Sequence, residues 1–384
     1  MLITSGLLWG HLFAAVVAAF SLLSCVSKTS GEPAAGQAAA AGAGVAAARD
    51  MTVARSVHTS TLLRNGQVLI AGGMQSDNVY LDTAELYDPR AGSFTPTGRM
   101  NARRVGPVAL PLGDGRVLLT GGINESGSLR SAEIYDPATG RFTPTGDMVK
   151  AREAHALVPL RNGLVLVAGG LDNRRGVAEA ELYNPADGSF RLTGSMKTPR
   201  GSVVAAPLPD GRVLVCGGTS DLRTVLDTAE VYDPAGGTFT AAANMNQRRF
   251  KFAANALADG RVLLTGGAVD NEWSGRRPTA EVFDPRTGRF TAARDMNQPR
   301  FKHTTATALL PDGRVVVAGG GRRVEVFDPR AGTFTLLRGD LGDEFYFNSA
   351  TVLADGRVLL TGGYSASRPG PPTPTAKAWL ITVS

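Results

Sequence analysis

The chain is poor in cysteine, with only Cys25 and Cys216 among its 384 residues. The two stand in segments of different composition, and no Cys or His pairs at metal-ligand spacing accompany them. This excludes a disulfide scaffold and a zinc framework. Histidine is scarce too: His11, His58, His155 and His303 are the full set. No Ser, His and Asp set recurs as a nucleophilic triad, and no phosphate-cradling loop occurs. Charged residues make up 19% of the chain, and the excess of Lys and Arg is small, 40 against 34 Asp and Glu for a net charge of +6. The excess is spread along the sequence rather than gathered in a basic tail, so no nucleic-acid partner is expected. What is abundant is Gly (47) and Pro (22), beside 43% hydrophobic residues. That composition suits many short strands joined by tight turns.

Leu7 to Leu23 is a mostly apolar run interrupted by His11, placed where an export signal would be. It ends in Leu22, Leu23, Ser24 and Cys25. This resembles the lipobox of bacterial lipoprotein signals, which implies cleavage before Cys25, lipidation of its thiol and an anchored, exported protein. Val26 in the place where Asp would retain such a protein at the inner membrane implies the outer membrane or cell surface. An ordinary cleaved signal or a short membrane anchor remains the alternative, and either also exports the chain, to the periplasm or beyond. Residues 26–44 are rich in Ala and Gly with no periodic apolar face, and read as a flexible tether.

From residue 45 to 384 one unit recurs about every fifty residues. Glycine pairs follow apolar runs at Gly72-Gly73, Gly121-Gly122, Gly169-Gly170, Gly217-Gly218, Gly266-Gly267, Gly319-Gly320 and Gly362-Gly363. Ahead of each pair stands Asn-Gly or Asp-Gly, from Asn65-Gly66 to Asp355-Gly356. Such dipeptides accept positive φ at both central residues of a tight hairpin turn, so each marks two antiparallel strands. A third strand follows, Ala84-Glu85-Leu86-Tyr87 and its copies, closed by Asp-Pro or Asn-Pro. A Gly then leads into a fourth strand opening with Phe94, Phe142, Phe190, Phe239, Phe290 or Phe334. These features resemble the kelch repeat family, with the family's fourth-strand Trp replaced by Phe throughout. The resemblance implies an all-β, seven-bladed β-propeller of four-stranded antiparallel blades, similar to the central domain of galactose oxidase. In such a ring the glycine pairs permit close packing and the aromatic rings fill the wedges between blades.

The seventh unit runs out at Ser384 after three strands, while Val45 to Met51 (VAAARDM) matches Phe290 to Met296 (FTAARDM). The segment ahead of the first unit is therefore expected to supply the missing strand and close the ring. An Arg begins each of the first six units (Arg55, Arg103, Arg152, Arg200, Arg249, Arg300), and each third strand carries a Glu (Glu85, Glu133, Glu181, Glu230, Glu281, Glu325). In the seventh unit both signs reverse, to Asp343 and Lys377, as ion pairing within a blade would require. Alternatively the arginines ring the channel mouth and bind an anion.

Kelch propellers include copper oxidases and sugar mutarotases. A copper site of that kind needs two His, two Tyr and a Cys beside one of those Tyr. Here His58, His155 and His303 share one repeat position that Phe252 takes in the fifth unit, which reads as packing, and Cys216 reads as a small buried residue. No metal, cofactor or catalytic residue is therefore expected. Two functions stay open: an exported module that recognises a protein or glycan, and a carbohydrate-active enzyme, epimerase-, mutarotase- or oxidase-like, with its site at the channel mouth. The Asn/Asp-Gly turns are uniform, whereas the loops after the glycine pairs vary from Gly321–Arg323 to Ala268–Thr279 and Tyr364–Thr375. Uneven loops on a rigid frame are where recognition is usually placed. That side collects Arg174, Arg175, Trp273, Arg276 and Arg277. From the connections between units it gains Arg248, Arg249, Lys251, Arg300 and Lys302, together the candidate binding face.

Overall fold

A computed structural model of the chain describes residues 16–17, 42–270, 275–365 and 373–384. These are all-β, with no α-helix among them. The repeats fold as four-stranded antiparallel meanders. In the first, Thr59–Leu62, Val68–Ala71, Ala84–Asp88 and Ser93–Pro96 pair in chain order. Six such sheets follow one another along the chain. In a seventh, Ser349–Val352, Val358–Thr361 and Ala378–Thr382 are joined by Gly44–Ala47, with Val45 opposite Ile381. Val16–Val17 lies parallel to Ala156–Leu157 at the edge of the third sheet.

The second strands, such as Val68–Ala71 and Val117–Thr120, are buried at every residue. They read as continuous apolar runs because neighbouring sheets cover both their faces. The first strands of neighbouring sheets stand side by side. Thr59–Leu62 neighbours Val108–Pro111 on one side and Ser349–Val352 on the other.

The glycine pairs serve the contact between units. Gly73 N–H donates to the carbonyl of Arg104 in the next unit (2.8 Å), and the same bond recurs from Gly122 to Arg152, Gly170 to Arg200, Gly218 to Arg249 and Gly267 to Arg300. It continues from Gly320 to Phe345, and Gly363 donates to Arg55 in the first unit. A Cβ on Gly72 would lie 2.8 Å from the Arg104 carbonyl oxygen, so the close approach requires glycine there.

The Asn/Asp-Gly turns differ from the expected form. Only the glycine is left-handed (φ 85° at Gly66, 95° at Gly115). Gly66 N–H donates to the Leu63 carbonyl, and Leu63 N–H to that of Gln67. This is a three-residue loop, a type I turn followed by a left-handed glycine. Asn or Asp is selected for another reason: its side-chain oxygen accepts the N–H two residues on, Asn65 Oδ1 from Gln67 and Asp114 Oδ1 from Arg116, both at 3.0 Å.

Third and fourth strands carry the aromatic pairs, with centroids 4.8 Å apart for Tyr87 and Phe94 and 4.7 Å for Tyr135 and Phe142. Where the third-strand ring is Tyr135, Tyr183 or Tyr232, its hydroxyl meets Thr97, Thr145 or Thr193 of the preceding unit. Where it is Phe283 or Phe327, the preceding unit supplies Ala242 or Ala293 instead.

The expected ion pairs form, with one change of residue. Buried pairs join Arg55 to Glu85, Arg152 to Glu181, Arg200 to Glu230, Arg249 to Glu281 and Arg300 to Glu325, at 2.6 to 3.0 Å. In the second unit the buried partner of Glu133 is Arg104, not Arg103; Arg103 is 59% exposed and meets Glu125. The strand register also overturns the expected reversal in the seventh unit. Trp379 lies opposite Leu360 as Glu85 lies opposite Ile70, and Phe345 accepts the bond from Gly320 as Arg300 does from Gly267. Phe345 and Trp379 therefore take the places of Arg and Glu. Asp343 instead accepts a hydrogen bond from Ser365, and Lys377 is exposed with its Nζ 6.0 Å from the Phe345 ring.

Candidate functional site

In five units the residue after the buried Arg pairs with the residue after the glycine pair, as Ser56 does with Met74, Glu153 with Leu171 and Phe250 with Ala268. The connections between units thus share one end of the sheets with the uneven loops, and the Asn/Asp-Gly turns lie at the other.

One position further on, the chain turns through the left-handed region in every unit: Val57 (φ 56°), Gly106 (61°), Ala154 (51°), Ser202 (51°), Lys251 (52°), Lys302 (56°) and Phe347 (55°). Backbone hydrogen bonds link several of these turns directly. Gly106 donates to Val57, Ser202 to Ala154, Lys302 to Lys251, Phe347 to Lys302, and Val57 to Phe347. A residue other than Gly is strained by such a φ, which persists only where the surroundings hold it. These positions bring side chains from distant repeats to one place. A pocket opens beside them, lined by Val57 to Thr61, Gly106, Pro107, Thr304, Thr305 and Phe347.

Here the chemistry is concentrated. Lys251 and Lys302 are 0% and 2% exposed, and Glu153, on the same end of the third unit, is 6% exposed. The Lys302 ammonium donates to the Tyr364 hydroxyl (2.7 Å). Both lysine Nζ atoms face the same two rings, Lys251 at 5.6 and 5.8 Å from Phe301 and Phe347, Lys302 at 5.2 and 5.5 Å. Lys251 also lies over Phe250, at 4.5 Å. Desolvation brings the Lys302 ammonium down to about 7. Burial pushes Lys251 well below the usual lysine range, and nearby Lys302 acts in the same direction, opposed by Glu153. Burial raises the Glu153 carboxyl to about 8, against the pull of Lys251, and its Oε2 has no hydrogen-bond partner. Burial likewise raises Tyr364, with Tyr346 adding to it. Beside this cluster Arg276 binds Glu344 (3.1 Å) and the Tyr346 hydroxyl (2.8 Å).

The candidate residues separate into two groups. Arg174, Arg175 and Arg248 are exposed on the expected side, and Arg276 and Arg277 are half-buried beside the cluster. Arg249 and Arg300 are buried in their ion pairs, which withdraws them from a binding surface. Lys302 is buried within the cluster, and Trp273 lies outside the described residues. Sequence reasoning missed Glu153, Phe250, Phe301, Tyr346, Phe347 and Tyr364. A signal existed: the two positions after each Arg are SV, VG, EA, GS, FK and FK in successive units, variable where the flanking repeat is fixed.

The described histidines do not converge. His58 Nε2 meets Thr361 (2.9 Å), His155 Thr120 (2.7 Å) and His303 Thr265 (3.1 Å), each across the boundary to the preceding unit. No group of three or more His, Cys, Asp or Glu that could hold a metal exists among the described residues.

The Kelch motif family matches residues 56–101, 106–149 and 204–246. No curated protein matches the chain. A solved structure of a fungal alcohol oxidase of the AA5 family, in complex with copper, is similar over 88% of this chain and 76% of its own, with TM-score 0.70 and 17% identity. At that identity the likeness is one of fold. The Kelch motifs in three places and the likeness of fold support a β-propeller of the kelch and galactose oxidase-like kind.

Proposed function

We propose that the chain is an exported binding module, a closed seven-bladed propeller that recognises a protein or glycan on the side of the loops following the glycine pairs. The carrying observation is the contrast between its two ends. The far turns repeat one pattern, with Arg116, Arg212 and Arg261 each paired to the Asp of its own turn. The near end holds the unlike residues, among them exposed Arg174, Arg175 and Arg248 around a centre of buried lysines and aromatic rings. Closure is supported by the pairing of Gly44–Ala47 with Ala378–Thr382 and by the bond from Gly363 to Arg55. Export and a lipid anchor rest on the apolar run and Cys25, which lie outside the described residues apart from Val16–Val17.

The test is a glycan and protein array probed with the mature domain. Replacing Arg174, Arg175 and Trp273 by Ala weakens capture of the selected ligand by roughly tenfold or more. Replacing Arg116, Arg212 and Arg261 leaves it unchanged. The reverse pattern places recognition on the other side.

A second reading, a carbohydrate-active enzyme with its site at the channel mouth, draws on the Lys302–Tyr364 contact, in which an amine titrating near neutrality meets a hydroxyl at 2.7 Å. Turnover of an array sugar that is lost in Lys302→Met selects it over the first.

A further inference from the structure

We propose that the contact between the fourth and fifth units is a joint, on which units one to four and units five to seven shift past each other and so widen or narrow the near end. This rests on the reading of the near end as the working side, and names how that end adapts to a ligand.

The seven contacts between units share one feature, the backbone bond from a glycine pair to the unit that follows. Six of them add others. Thr–Tyr hydroxyl pairs, and backbone bonds from Gly98, Gly146 and Gly194 to the turn glycines Gly140, Gly188 and Gly237, tie together the outer strands of units one to four. His303 and Thr265 tie the fifth unit to the sixth, where Lys302 N–H also donates to the Lys251 carbonyl. Ala350 N–H donates to the Thr305 carbonyl between the sixth and seventh (2.8 Å), and His58 meets Thr361 between the seventh and first.

Between the fourth and fifth units, the bond from Gly218 to Arg249 is the one of these kinds that remains among the described residues. Cys216 and Phe252 take the places of Thr and His there, Ala242 and Phe283 those of Thr and Tyr, and Ala243 that of the donor glycine. A Cβ added at Gly237 would meet Thr193 Oγ1 at 3.1 Å, whereas one at Gly288 would meet nothing within 4 Å, so the outer turn of the fifth unit stands clear of the fourth. What holds these two units is burial. Phe252, Leu264 and Phe283 share one core cluster with Val215 and Tyr232 of the fourth. Apolar attraction is non-directional, so packed surfaces slide by small amounts that a hydrogen bond, confined to a narrow range of distance and angle, resists. Glu153 of the third unit and Lys251 of the fifth lie to either side of this contact and act on each other electrostatically, so its movement rearranges the centre of the near end.

The test is hydrogen exchange of the protein, resolved to single amides and followed without ligand. Gly170, Gly218 and Gly267 make the same bond to the following unit, at 2.9, 2.8 and 2.8 Å, so a difference among them reports the contact and not the bond. Gly218 exchanges roughly tenfold or more faster than Gly170 and Gly267. The triple change Ala242→Thr, Ala243→Gly and Phe283→Tyr copies the Thr193, Gly194 and Tyr232 set into the contact. It slows Gly218 toward the rate of Gly170 and leaves Gly267 unchanged. Equal exchange of the three amides in the wild type overturns the proposal, as does a folded triple variant whose Gly218 exchanges as in the wild type. The wild-type comparison decides the matter should the variant fail to fold. Since no ligand enters, failure here leaves the loop-side reading standing, and failure of the array test leaves the exchange result unaffected.

Discussion

The Phe345 and Trp379 rings, with centroids 5.0 Å apart at 53°, stand in the seventh unit where Arg300 and Glu325 stand in the sixth. Asn348 completes the exchange: its amide donates to the Gly362 carbonyl, as the Arg300 guanidinium does to that of Gly319. One repeat thus shows that an aromatic pair can replace a buried ion pair, provided the glycine carbonyl keeps a donor. The physical reason is that an ion pair must overcome a large desolvation penalty, whereas two rings of similar volume do not.

Breaking one ion pair from a single side is therefore expected to be severe. Glu181→Gln leaves the Arg152 guanidinium buried without its carboxylate and weakens the backbone bonds from Val149 and Lys150. A loss of about 3 to 5 kcal/mol is expected. Arg152→Met combined with Glu181→Leu loses less than the two single changes added, with a coupling of about 1 to 3 kcal/mol in a urea-denaturation cycle. Strict additivity would show that the pair does not act as a unit.

Stability is expected to fall in acid through the histidines. Burial, with Arg300 adding to it, lowers His303 from 6.5 to about 3, and His58 and His155 are lowered in the same way. Between those values the unfolded chain takes up protons that the folded chain refuses. The contribution is therefore fully present above about pH 6.5 and is lost as pH falls toward the folded value. Each histidine adds up to about 1.4 kcal/mol per pH unit to the slope. Converting the third pair, by His303→Phe with Thr265→Cys, copies the Phe252 and Cys216 arrangement of the fifth and fourth units. The urea midpoint of that variant varies less with pH below 6.5 than the wild type's; an unchanged slope would count against buried neutral imidazoles.

Removal of residues 42–51 is expected to expose the edge of Ala378–Thr382 and withdraw Met51 from its core cluster. Among the described residues that edge pairs with Gly44–Ala47 alone, so the truncated protein aggregates or melts early. Met51→Ala alone costs about 2 to 5 kcal/mol. Deleting residues 26–40 leaves the melting temperature unchanged, and equal melting of both truncations would show that the terminal strand does not hold the fold together.

Cys25→Ser is expected to release the protein from membranes of a Gram-negative host, with the wild type found in the membrane fraction carrying a lipid mass on its first residue. Uncleaved wild-type protein in the cytosol would exclude export by this segment.

The sequence by itself determined the unit and its internal pairing. Asp-Gly and Asp-Pro turns, glycine pairs and the apolar second strands are local signals, because turn chemistry and strand burial act within a few residues. It also held the Tyr–Thr and His–Thr partnerships across units, readable once one repeat is laid on the next. What it could not decide was which of two adjacent arginines, Arg103 or Arg104, turns inward, since one residue of register exchanges buried for exposed. The Phe345–Trp379 exchange escaped for the same reason: Asp343 and Lys377 look equivalent by charge and are each displaced by two positions. The meeting of Glu153, Lys251 and Lys302 is of another kind. These residues come from three different repeats, and only the packing of the repeats against one another sets how near they stand and how completely water is excluded. Their altered proton affinities follow from that exclusion, which no local sequence pattern encodes.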